Sequence, residues 1–203
     1  MLVLSDFFRE HLAVSPMIAI IRGRSVEDTV RLALQCWEHG IRLVEVPTQS
    51  NEALEALAAL APHANQTERF VGAGTICTAD DVTRAHAAGA RYLVAPGLFP
   101  DAVRAADALG LPTLPGVLTP TEIAGALAMS LTVQKLFPAN ALGTSGVRTL
   151  RGPFPTVDFV AVGGVSPDDA QDYLDAGAIG VGVGSALDTP ASLARFAALR
   201  DAG

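Results

Sequence analysis

Two kinds of segment alternate along the whole chain. Short runs rich in β-branched residues are each followed by an Ala- and Leu-rich stretch with helical periodicity, and Gly, Pro or Asp stands between them. Eight strands are predicted in this way, at residues 17–22, 42–46, 70–74, 92–95, 113–115, 132–137, 159–162 and 179–183. A strand followed by a helix, repeated many times, is typical of an α/β protein with a parallel sheet.

The number and spacing of these units predict how the sheet closes. A helix over residues 5–13 is expected before the first strand, and no Pro- or Ser-rich linker divides the chain. Residues 1–203 are therefore expected to form a single (β/α)8 TIM barrel domain with an N-terminal helix, near the lower size limit of about 200 residues for that fold. A doubly wound open sheet is the alternative, but eight evenly spaced units favour the barrel.

Four of the predicted helices carry the same signal at their start. In each, a Ser or Thr that can accept a hydrogen bond from the first turn is followed three positions later by an acidic residue. The four residues are Ser25, Thr78, Thr119 and Ser166. We expect each of them to be the N-cap of its helix.

Composition excludes several classes of protein. Half of the residues are hydrophobic and 17% are charged, so the chain can bury a core and is not intrinsically disordered. The net charge of −7 argues against a nucleic-acid partner, and no apolar run reaches the roughly 18 residues that span a bilayer. The first residues lack the basic region of a signal peptide, and Cys36 and Cys77 cannot form a disulfide framework. We expect a cytoplasmic protein with a small-molecule partner.

Lys135 is the most informative single residue. The chain has thirteen arginines and this one lysine, which lies inside the apolar sixth predicted strand. Burial at the mouth of a barrel would lower the pKa of the amine from about 10.4 and make it a nucleophile that can form a Schiff base with a carbonyl. The alternative is a lysine at a strand end that extends to solvent and pairs with an acid.

Glu45 is an acidic residue that fits both interpretations of Lys135. It lies near the end of the second predicted strand, among Leu43, Val44, Val46 and Pro47. Burial would raise the pKa of this carboxyl group and make it a plausible general base. It could also be only the counter-ion of the lysine, and the two roles are compatible at different stages of a reaction.

Glycine turns follow the last two predicted strands. The backbone N–H groups of Gly163, Gly164 and Ser185 could hold a phosphate together with the start of the next helix. Glycine is also the usual turn residue, so each turn alone is weak evidence for a phosphate site. None of the four histidines ends a strand and no set of His, Asp or Cys residues has metal-ligand spacing, so no metal is expected.

Taken together, the motifs resemble one known family over nearly the whole chain. This family is the class I aldolases that act on 2-keto-3-deoxy-6-phosphogluconate (KDPG) and on its 6-phosphogalactonate epimer. The motifs, in order, are PMIAIIRG from Pro16, VEVP from Val44, VGAGT from Val71, APGL from Ala95, LPG from Leu114, KLFPA from Lys135 and AVGGVS from Ala161.

The resemblance implies a role for each matching residue and a form of assembly. Lys135 would form the Schiff base, Glu45 would move protons, and the family works as homotrimers without a metal or organic cofactor. The substrate would be cleaved to pyruvate and glyceraldehyde 3-phosphate. Thr75 and Pro96 would hold the pyruvate portion, Phe137 would pack beside the lysine, and Gly163, Gly164, Gly184 and Ser185 would bind the phosphate.

At one position the chain departs from the phosphogluconate type. Gln49 stands where members of that type commonly have an arginine, and Arg22 at the end of the first predicted strand would then bind the substrate carboxylate instead. The start motif that ends in Arg22-Gly23, Pro47 after Glu45-Val46, and Val162 before the Gly-Gly pair resemble the phosphogalactonate branch, whose substrate we therefore expect to be preferred. A phosphogluconate-specific aldolase, an isomerase or epimerase using Glu45, and a sugar-phosphate binding protein without catalysis are the alternatives.

Overall fold

The computed structural model describes residues 4, 6–64, 68–185, 187 and 189–199. Within them, parallel strands form one sheet in the order β5-β4-β3-β2-β1-β9-β8-β7-β6. The strands are β1 Met17–Ile20, β2 Leu43–Pro47, β3 Phe70–Gly74, β4 Leu93–Val94, β5 Thr113–Leu114, β6 Gly116–Val117, β7 Val133–Leu136, β8 Asp158–Val162 and β9 Gly180–Val183. The two ends of the sheet, β5 and β6, are halves of one extended segment, so the sheet curves into a nearly closed barrel.

Pro115 explains why nine strands stand where eight are predicted. It separates β5, which pairs with β4, from β6, which pairs with β7. Proline has no backbone N–H to donate, but its carbonyl oxygen still accepts a hydrogen bond from the Lys135 N–H at 2.8 Å. The eight β/α units and the barrel class are confirmed.

Helices follow the strands around the outside. They are α1 Asp6–Leu12, α2 Val26–Glu38, α3 Asn51–Ala64, α4 Ala79–Ala87, α5 Pro100–Ala108, α6 Pro120–Ala128, α7 Gly143–Arg151, α8 Ala170–Asp175 and α9 Pro190–Ala197, with a short 3₁₀ helix at Ala139–Ala141. Within the described residues, no helix is both long and apolar enough to cross a membrane. The predicted N-terminal helix is present as α1, and residue 5 of that prediction lies outside the described residues.

Strand residues alternate between two hydrophobic cores. One set, including Val44 and Phe159, packs outward against the helices. The other set fills the barrel interior with Ile18, Leu43, Val133 and Val160, joined by Phe8 and Leu12 of α1. The N-terminal helix therefore closes the end of the barrel at which the strands begin.

A polar contact holds α1 in that position. The Arg9 guanidinium donates to the Asp158 carboxylate at 2.6 Å and to the Thr132 hydroxyl at 2.9 Å. Asp158 begins β8 and Thr132 precedes β7, so one side chain ties the helix to two neighbouring strands.

Three of the four predicted helix caps are found. Ser25, Thr78 and Thr119 each accept a hydrogen bond from the residue three positions later, and the latter two form complete capping boxes. Ser166 is different, because the Asp169 carboxylate accepts from both its N–H and its hydroxyl, and α8 begins only at Ala170. The prediction that Ser166 is an N-cap is wrong.

Candidate active site

Lys135 and Glu45 both lie inside the barrel. Lys135 is the third residue of β7 and only 5% exposed, and Glu45 is the third residue of β2 and 2% exposed. Each is two residues beyond an interior side chain, Val133 and Leu43 respectively, so strand alternation directs both inward. Among the residues that the structure describes, no hydrogen bond or ion pair within 4.0 Å involves either side chain.

The two charged groups change each other's pKa. Burial raises the pKa of Glu45, and the positive charges of Lys135 and Arg22 act in the opposite direction. Burial also lowers the pKa of Lys135, an effect that the Glu45 charge opposes and Arg22 reinforces. Both shifts move the groups toward their neutral forms, which are a nucleophilic amine and a proton-carrying acid.

Two glycines of β3 create the space for this arrangement. A Cβ atom on Gly74 would lie 2.7 Å from Cδ of Glu45, and one on Gly72 would lie 2.5 Å from Cζ of Tyr92. Both glycines face the interior, where any larger residue would displace these side chains. The sequence analysis missed this role, although the alternating Gly72-Ala-Gly74 pattern was a visible signal for it.

Phe137 connects the lysine to the loop after β8. The Lys135 ammonium lies 4.5 Å from the centroid of the Phe137 ring. A Cβ atom on Gly163 would be 3.1 Å from this ring, and the Asn140 N–H donates to the Gly163 carbonyl at 3.1 Å. Gly163 and Gly164 have φ values of 96° and 78°, which residues other than glycine rarely adopt. The turn after β8 therefore packs directly against Phe137, whose ring contacts the Lys135 ammonium group.

The remaining predicted residues lie at the same end of the barrel, following their strands. Thr75 follows β3 in a left-handed conformation with φ 62°, which costs energy for a β-branched residue and is common at functional sites. Val162 ends β8 and packs over Gly182. Pro96 follows β4, Gly184 and Ser185 follow β9 at the surface, and Arg22 and Gln49 are exposed just beyond β1 and β2.

A large cavity occupies the other end of the molecule. It has a volume of about 990 Å³ and lies between α1 and the C-terminal ends of α3, α4 and α5. None of the predicted site residues lines it. Within the described part of the chain, no group of three or more His, Cys, Asp or Glu side chains could hold a metal ion.

Comparison with known proteins identifies the family. The family model described as KDPG and KHG aldolase matches residues 8–196. The chain belongs to this aldolase family. The predicted family resemblance is confirmed.

Individual relatives of this aldolase carry the names of both epimeric substrates. A protein of Rhizobium meliloti (strain 1021) named "Probable 2-dehydro-3-deoxy-6-phosphogalactonate aldolase" is 36% identical over 86% of this chain and 82% of its own length. The "2-dehydro-3-deoxy-phosphogluconate aldolase" of Treponema pallidum (strain Nichols) is also 36% identical, over 81% of this chain and 77% of its own length. Overall identity therefore does not distinguish the two substrates.

A solved structure connects the family to covalent chemistry. The KDPG aldolase of Legionella pneumophila, with pyruvate captured at low pH as a covalent carbinolamine intermediate, is 29% identical with a TM-score of 0.81. The match covers 93% of this chain and 94% of that one.

Proposed function

We propose that this family member is a class I aldolase that cleaves 2-keto-3-deoxy-6-phosphogalactonate, and also its phosphogluconate epimer, to pyruvate and glyceraldehyde 3-phosphate. The observation that carries the proposal is the burial of the chain's one lysine in the same barrel interior as Glu45. A purely binding site has no need of a desolvated amine. Carbonyl chemistry needs one, because only the neutral amine attacks a ketone.

The steps of the proposed reaction can be assigned to Lys135 and Glu45. Neutral Lys135 attacks the C2 ketone of the substrate. Glu45 in its protonated form gives a proton to the departing hydroxyl group, so that loss of water leaves a protonated imine and the Glu45 carboxylate. This cation accepts the electron pair of the breaking C3–C4 bond while Glu45 takes the proton of the C4 hydroxyl group. Glyceraldehyde 3-phosphate leaves, the enamine is protonated at C3, and hydrolysis releases pyruvate and the free amine.

Substrate groups away from the reacting bonds provide orientation. Arg22, whose charge acts on both Glu45 and Lys135, would bind the substrate carboxylate, and Gln49, two residues beyond the end of β2, would contact the substrate as well. Thr75 and Pro96 would hold the pyruvate portion, and Phe137 would limit the space beside the imine. The phosphate would bind at Gly163, Gly164, Gly184 and Ser185. Such remote contacts place the reacting atoms and use binding energy to lower the barrier.

The preference between the epimers is assigned to Val162. The two substrates differ only at C4, and this valine ends β8 next to the proposed phosphate turn. Valine offers no hydrogen bond to the C4 hydroxyl group. It therefore does not stabilise the C4 configuration with which a threonine would form such a bond. We therefore propose a modest preference for the phosphogalactonate substrate.

The proposal extends to the assembly and its setting. The chain would work as one barrel domain, assembled as a homotrimer, in the cytoplasm, and without a metal or organic cofactor. Analytical ultracentrifugation of the purified protein measures the mass of the assembly and tests the trimer directly.

A coupled assay for pyruvate tests the proposed function. Both epimeric substrates are given to the enzyme side by side, with and without EDTA. We expect pyruvate from both, faster from the phosphogalactonate, with no effect of EDTA, and a fall in kcat of about 10²–10⁴ in Glu45→Gln because the amide cannot accept a proton. Absence of pyruvate from either substrate would overturn the proposal.

A further inference from the structure

Asn140 is an exposed polar residue to which the reaction above gives no role. It lies in the 3₁₀ helix after β7, five residues beyond Lys135 and at the same end of the barrel as the other site residues. Its side-chain amide makes no hydrogen bond to any residue that the structure describes. The amide group is therefore accessible to a ligand without first giving up a contact within the protein.

The backbone of Asn140 fixes its position beside the turn after β8. Its N–H donates to the Gly163 carbonyl at 3.1 Å, and a Cβ atom on Gly163 would lie 3.1 Å from Cα of Pro138. The backbone alone makes these contacts. The Asn140 side chain is therefore not needed to hold the turn in place.

The side chain lies directly against Gly164. A Cβ atom on Gly164 would be 2.5 Å from both Cγ and Nδ2 of Asn140, closer than real atoms approach. A Cβ atom is also about 2.5 Å from the backbone nitrogen of its own residue. The amide nitrogen of Asn140 and the backbone nitrogen of Gly164 are therefore at most about 5 Å apart.

Two donors at this spacing suit a phosphate group. A phosphate carries three strong acceptor oxygens, so one group can accept from two donors that lie a few ångströms apart. The Asn140 amide can donate two hydrogen bonds, and bonds to a charged acceptor are stronger than those between neutral groups. Asn140 and Gly164 are both exposed, so an anion can reach them from solvent.

We propose that Asn140 is a substrate-binding residue whose side-chain amide donates a hydrogen bond to the substrate phosphate, beside the N–H of Gly164. The proposal rests on the proposed function, which places the phosphate at this turn. Backbone N–H groups remain whatever the side chains are. Asn140 is therefore a part of the phosphate site that a substitution can remove.

Two substitutions of Asn140 test the proposal in the coupled pyruvate assay. Asn140→Ala removes the donor and should lower kcat/KM for the phosphorylated substrate about tenfold, the low end for a hydrogen bond to a charged group. Asn140→Asp keeps the shape but adds a negative charge, and should lower kcat/KM about fivefold further. KM should carry most of the change, because the contact is the same in the ground state and the transition state.

Pyruvate provides a second readout because it has no phosphate. Borohydride trapping of pyruvate on Lys135 should proceed at the parent rate in both Asn140 variants. If trapping slows as much as cleavage does, Asn140 supports the lysine and not the phosphate, and the proposal is wrong.

Asn51→Asp is the matched control. It makes the same change in charge at an exposed residue at the start of α3, at the same end of the barrel, where Asn51 accepts a hydrogen bond from Arg84 at 2.9 Å. Its kcat/KM should stay within twofold of the parent value. Equal losses in the two aspartate variants would mean that net charge is responsible, and would overturn the proposed contact.

The parent enzyme separates failure of this proposal from failure of the proposed function. If the parent traps no pyruvate and cleaves neither substrate, the proposed function is wrong and the assignment of Asn140 falls with it. If the parent does both and the two Asn140 variants cleave the phosphorylated substrate with the parent kcat/KM, only the assignment of Asn140 is overturned.

Discussion

The carboxyl group of Glu45 occupies the space that a side chain on Gly74 would need. A Cβ atom there would lie 2.7 Å from Cδ and 2.9 Å from Cγ of Glu45, too close for any real pair of atoms. Gly74 ends β3, so its backbone cannot easily move away to relieve the contact. The position of the proposed base therefore depends on the absence of one methyl group on the adjacent strand.

Gly74→Ala should lower kcat by about 10²-fold, the cost of moving a catalytic group by roughly 1 Å. The barrel should still fold, because the far end of the Glu45 side chain can turn away. Circular dichroism and the pyruvate assay measure the two properties separately. Gly152→Ala, after α7 and with only one ordinary contact at 3.4 Å, is the matched control and should be fully active. A Gly74→Ala enzyme within twofold of the parent would contradict the explanation.

Borohydride added together with pyruvate should trap a covalent adduct on Lys135. Reduction of the imine fixes one pyruvate unit to the protein, and mass spectrometry of the peptides locates it. Because Lys135 is the chain's one lysine, only the α-amino group competes, and Lys135→Arg should abolish the adduct. A mass change that maps to the α-amino group, or none at all, would refute the Schiff-base assignment.

The pH dependence of trapping tests the burial of the amine. The neutral form of an amine predominates above its pKa, and burial lowers the pKa of Lys135. Trapping should therefore continue at pH values at which Nα-acetyl-lysine, the free comparator, is protonated and unreactive. Equal pH profiles for the enzyme and the comparator would mean that the amine is exposed to solvent when it reacts.

Val162→Thr should change the choice between the epimers. The added hydroxyl group can bond the C4 hydroxyl in one configuration, and one hydrogen bond is worth about 0.5–1.5 kcal/mol. The ratio of kcat/KM values should move toward the phosphogluconate substrate by roughly two- to tenfold. Val14→Thr, the same change at an exposed position, should leave the ratio as it is. An unchanged ratio in Val162→Thr would remove this residue from the account of specificity.

Arg9→Met should destabilise the fold without altering the site. It removes the partly buried contacts of α1 with Asp158 and Thr132, at an expected cost of about 1 kcal/mol. Urea unfolding measures this free energy. Arg104→Met breaks an exposed pair with Asp101 and should cost almost nothing. Equal stabilities for the two variants would show that α1 is held by its apolar residues alone.

Local patterns were sufficient to predict the elements of the fold. Strand and helix periodicities are set by backbone geometry. The eight β/α units and the N-terminal helix could therefore be predicted without knowledge of tertiary contacts. Thr78 and Thr119 cap their helices because both partners of a capping box are close in sequence. At Ser166 the same pattern failed, since the Asp169 carboxylate binds Ser166 in a turn that precedes the helix.

The barrel, the family and the importance of Lys135 could be predicted from the amino-acid sequence alone, because these depend on periodicity, on motif order and on one lysine among thirteen arginines. Which distant residues share the interior depends on how the strands pair and curve. Closing the barrel brings β2, β3 and β7 around one space, so Gly72 and Gly74 can accommodate Tyr92 and Glu45. Such contacts between strands have no local signature, because they arise from the register and curvature of the whole sheet.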